Sequence, residues 1–68
     1  MTAQEWLEQF AQAAGTAPPA PEELEKLLKL AAVAAHASER IAAPVACYLV
    51  GRAGLGLDEA IALAEGVV

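Results

Sequence analysis

The sequence has one cysteine and one histidine among its 68 residues. A single cysteine excludes an intramolecular disulfide and a cysteine-rich zinc site, two of the staples on which small domains rest. A single histidine leaves no imidazole pair for a metal, so no metal or cofactor site is expected. Positive charge is scarce as well. Four Lys and Arg stand against nine Asp and Glu, for a formal charge of −5. Nucleic-acid binding rests on cations that neutralise phosphates, so neither nucleic acid nor an anionic membrane surface is an expected partner. Long apolar runs are also missing. The stretch 30–50 is interrupted by His36, Glu39, Arg40 and Pro44, and its apolar end falls short of the roughly 20 residues that span a bilayer. The opening "MTAQEWLEQF" carries acids where a secretory signal carries bases. The chain is therefore expected to be soluble and cytoplasmic.

What the sequence has instead is small apolar residues. Its apolar content is 57%, above the ~45–50% of ordinary soluble domains, and much of it is alanine. Alanine lets helices approach closely but contributes little burial per residue. A chain this short buries only about 60% of its unfolded surface, so self-association would add stability, and a homodimer is expected.

Four helices are predicted, at about 3–14, 21–39, 44–53 and 57–66, with no strand alternation and no internal repeat. Thr2 and Glu5 form a capping box for the first. Trp6, Leu7, Phe10 and Ala14 recur along it at helical spacing, and Gly15 suits its left-handed end. "TAPPAP", residues 16–21, reads as a semi-rigid linker. Pro21 then opens the second helix, with Glu22, Glu23 and Glu25 matching the positive end of its dipole. Its residues 30–37 are almost wholly apolar, so it should cross the centre of an all-α bundle that forms one domain, 1–68. Pro44 excludes a straight continuation. A break at 40–43 is expected, with Pro44 in the first turn of the third helix. Gly51 inside that helix costs about 1 kcal/mol relative to alanine, which close approach of a neighbouring helix would offset. Asp58 or Gly56 caps the last helix, and Val67 and Val68 should fold back onto the core.

Few residues offer chemistry. "GRAGLG", 51–56, has glycines spaced three then two and follows a helix, whereas the dinucleotide fingerprint is spaced two then three and follows a strand. Cys47 gains a little from the helix start, but its neighbours Val45, Ala46, Tyr48 and Val50 mark it as a small core residue. Trp6 and Phe10 are read as core. The exception is the polar stripe that ends in His36, Glu39 and Arg40. These lie at i, i+3 and i+4 and share one helix face, with Tyr48 one turn into the next helix and its hydroxyl within reach of the second helix's end. The group is either an ion-paired structural corner or a binding surface, and the ion-paired corner is the primary reading. No catalytic residue is assigned.

"EWLEQFAQAAG" and "LLKLAAVAAHASERIAAPVACYLVG" together resemble a small all-helical bacterial domain family of uncharacterised function. That family pairs an acidic-Trp-Leu start with His-x-x-x-Arg-x-x-Ala-Pro and then Tyr-Leu-x-Gly. The resemblance covers residues 5–51 and marks Trp6, His36, Glu39, Arg40, Ala43, Pro44, Tyr48, Leu49 and Gly51. Ile41 and the "VAC" at 45–47 depart from it. Such a domain sometimes follows a nucleotidyltransferase resembling the guanylyltransferase of molybdenum-cofactor synthesis, which implies an accessory or partner-binding role beside an enzyme. The reading is therefore a non-enzymatic helical interaction module. The alternative is a small-ligand domain using the His36, Arg40 and Tyr48 neighbourhood.

Overall fold

The first helix, α1, spans Ala3–Ala14 in the computed structural model, which describes residues 1–67. Both halves of its capping box form. The Thr2 amide donates to Glu5 Oε1 at 2.9 Å, and the Glu5 amide donates to Thr2 Oγ1 at 3.1 Å. At the other end Gly15 takes φ 79°, which glycine adopts without a side-chain clash. Its amide reaches the carbonyl of Gln12 and that of Thr16 reaches Ala11, a Schellman ending.

The second helix, α2, runs Pro21–Ala37. The Ala20 amide donates to Glu23 Oε1 at 2.8 Å, while Ala20 has no oxygen to return the bond, so only half a capping box exists here. At the C-terminus the Ser38 hydroxyl donates to the Ala34 carbonyl at 2.9 Å and satisfies one of the last free acceptors.

The third helix, α3, spans Ala42–Ala53, and the fourth, α4, spans Leu57–Glu65. The helix break therefore falls earlier than the sequence reading put it. α2 stops two residues sooner than 39, and α3 starts two residues before Pro44. The reason is that the amides of a first helical turn have no partner in the helix, so proline fits the third position as well as the first. Turn bonds from the Ala42 and Ala43 amides to the carbonyls of Glu39 and Arg40, at 3.0 and 3.2 Å, outweigh the pre-proline bias at Ala43. α3 ends as α1 does. Gly54 lies at φ 69°, and the Leu55 amide bonds back to the Val50 carbonyl. Gly56 is the cap of α4, which leaves Asp58 inside the first turn.

The four helices make an all-α bundle centred on α2, as the sequence predicted. α2 packs against both α3 and α4. Leu30, only 1% exposed, meets Ala60 and Ile61 of α4, and Cys47, Val50, Leu55 and Ala64 close around them. Cys47 is thus a half-buried packing residue. Lys26 Nζ and Asp58 Oδ2 lie 3.0 Å apart and join α2 to α4 at the surface. An exposed pair of this kind is worth about 0–1 kcal/mol.

Three expectations about packing need correction. Trp6 and Phe10 are 53% and 56% exposed and stack on each other rather than on the core, with centroids 5.1 Å apart. They form an i, i+4 pair on the outer side of α1, whose inward residues are the smaller Leu7 and Ala11. Gly51 has nothing within 4 Å of where a side chain would begin, so no neighbouring helix approaches it. Val67 is 70% exposed and does not fold back; Val68 lies outside the described residues.

Candidate functional site

His36 occupies the last turn of α2, Glu39 and Arg40 the turn after it, and Tyr48 the middle of α3; all four are exposed. The ion-paired corner expected of the first three is not formed. Among the described residues the one ion pair is Lys26 with Asp58, and no side chain of His36, Glu39 or Arg40 donates or accepts a hydrogen bond. The hydrogen bonds that hold the corner come from backbone amides and from Ser38. Tyr48 does not bond to the end of α2 either. Its ring instead carries the Arg52 guanidinium, 5.6 Å from the ring centroid, within cation–π range.

That pair belongs to a longer stripe. Ile41, Val45, Tyr48, Leu49 and Arg52 recur at i, i+4, i+7, i+8 and i+11, one face of a helix. The inner face of α3, with Cys47 and Val50, is spent on the core. The outer stripe is left largely to solvent, with Ile41 73% and Tyr48 63% exposed.

A second apolar surface lies between α1 and α2. α1, the connector and the first half of α2 enclose a groove of about 330 Å³. Leu7, Leu24 and Leu28 form its apolar side, and Pro18, Pro19 and Pro21 wall one end. Glu8 and Glu25 supply carboxylates with no ion-pair partner among the described residues. A shallower concavity is lined by Glu22, Glu25, Lys26 and Lys29. Neither is lined by His36, Glu39, Arg40 or Tyr48. "TAPPAP" reads in the sequence as a linker, whereas in the fold its prolines line the groove. The available signal was the apolar content of 57%, above the ~45–50% of ordinary soluble domains.

That surplus is measurable. The chain exposes 5253 Å², against roughly 4,000 Å² for a folded monomer of its mass. Its radius of gyration is 12.4 Å, against about 11 Å for a compact chain of this length. α1 accounts for part of the difference, since it packs far less on the rest than α3 and α4 pack on α2. The Thr2 amide, and then the Thr2 hydroxyl, hold the exposed Glu5 carboxyl below its ordinary range. This is a feature of the helix cap, remote in sequence from the chemistry-bearing corner.

A family model described as a domain of unknown function, DUF6457, matches residues 1–67. The chain belongs to this family. The DUF6457 match takes in α1, the connector and the whole α2–α4 core, so the loosely packed first helix is part of the family's domain. No curated protein and no solved structure matches the chain significantly. No helix of the described residues is long and apolar enough to cross a membrane.

Proposed function

We propose that this domain is a non-catalytic helical interaction module that self-associates and also serves as an accessory to a partner enzyme. The observation that carries the reading is the exposed surface, about 1,200 Å² above that of a compact monomer of its mass. Excess area of this kind is what a stable interface covers, since standard interfaces take about 800 Å² from each partner. The excess is apolar in the right places. Trp6, Phe10, Tyr48 and Leu49 are all exposed, and aromatic side chains with arginine are the commonest anchors of protein interfaces. The enzyme context, molybdenum-cofactor biosynthesis in bacteria, rests on the resemblance of the 5–51 segment alone.

Light scattering across a concentration series tests the reading. The weight-average mass should rise from that of a monomer towards that of a dimer. A strict monomer at millimolar concentration would remove self-association and leave only the partner enzyme.

A further inference from the structure

We propose that the groove between α1 and α2 seats α3 of a second copy of this chain. The inference rests on the self-association just described and names the two surfaces that meet.

The groove specifies its occupant. Its floor of Leu7, Leu24 and Leu28 calls for an apolar stripe, and the unpaired carboxylates of Glu8 and Glu25 call for cations. α3 has both. It contains no acidic residue, and two of the four cations in the chain stand at its ends, Arg40 just before it and Arg52 in its last turn. Its outer stripe has the spacing by which amphipathic helices lie in apolar grooves.

The lengths agree as well. Pro21 to Leu28, the α2 side of the groove, and Val45 to Arg52, the heart of the stripe, are each eight residues of helix, about 10 Å from end to end. Arg52 is already laid on the Tyr48 ring. Tyrosine and arginine therefore enter the groove as one pre-ordered unit with less rotamer freedom to lose. Finally, both surfaces exist on every copy. Reciprocal exchange, α3 of each copy in the groove of the other, closes a two-fold dimer and covers both exposed faces at once.

A charge exchange tests this pairing by sedimentation equilibrium. Two variants are compared with the native chain: E8K/E25K, which reverses the groove, and R40E/R52E, which reverses the cations at the two ends of α3. Each alone should weaken self-association on the order of tenfold or more, because it sets like charges against each other at both contacts. An equimolar mixture should recover a dimer, since each copy then finds its complement. E59K/E65K carries the same charge change as the groove variant on α4, at exposed sites that line neither surface, and its association should stay within about twofold of the native value. Should a double variant lose its far-ultraviolet helical signal, the single changes E25K and R52E carry the same comparison. Native association that survives both reversals overturns the pairing but leaves self-association standing. A native chain that is monomeric throughout overturns both.

Discussion

The two halves of this molecule are built from similar amphipathic helices and end up in different states. α2, α3 and α4 share a core around Leu30, Ala60 and Ile61, while α1 keeps its largest side chains, Trp6 and Phe10, outside. Both halves are well terminated: α1 and α3 each end in a glycine at positive φ with a Schellman pair of bonds, and α1 alone has a complete capping box. Good local signals therefore form a helix without deciding how much of it is buried. Tertiary partners decide that. α2 is sandwiched by two neighbours, whereas α1 leans on one side of α2 across a groove.

Core and rim substitutions break the comparison most sharply. Leu30→Ala should cost about 2–5 kcal/mol, the range for large-to-small changes at a buried site, and in a domain this small that approaches the whole stability. Trp6→Ala should cost only about 0.5–1.5 kcal/mol, the worth of a stacked aromatic pair. Urea titration followed by circular dichroism measures both. Equal losses would mean that α1 is as integral to the fold as α2.

Glycine substitutions sharpen it next. Gly54→Ala forces a side chain into the left-handed region at φ 69° and should destabilise by about 1–2 kcal/mol. Gly51→Ala meets open space in mid-helix and should stabilise by about 0.5–1 kcal/mol. The same chemical change thus has opposite signs three residues apart, which thermal melts of the two variants will show.

Smaller still is Lys26→Ala, which removes the surface tie between α2 and α4. It should cost under about 1 kcal/mol and lose that effect in high salt, as melts at two ionic strengths will test. The smallest effect is confined to the start of α1. The Glu5 carboxyl titrates below its ordinary value, so its contribution is fully present above the unfolded value near 4.3. It is lost as pH falls through the lower folded value. Thr2→Ala should return the Glu5 titration, followed by nuclear magnetic resonance, towards the ordinary range.

The parts of this protein fixed by neighbouring residues were legible in its sequence. Thr2 with Glu5, Gly15 and Pro21 each act within a turn or two, so four helices and an all-α bundle around α2 could be read directly. Even where proline misled, it displaced the break between α2 and α3 by only two residues at each side. The candidate site was legible in part. Spacing correctly placed His36 on an exposed, polar face. It could not say that Glu39 and Arg40 would stay unpaired, because an ion pair depends on side-chain geometry that the turn at 38–41 sets. Nor could it say that Trp6 and Phe10 would stay outside or that Pro18 and Pro19 would wall a groove. Periodicity shows that a helix has an apolar face; only the packing of helices against one another determines whether that face finds a partner. Here there is one core and more apolar surface than it can hold, and the tertiary structure decided which faces were left over.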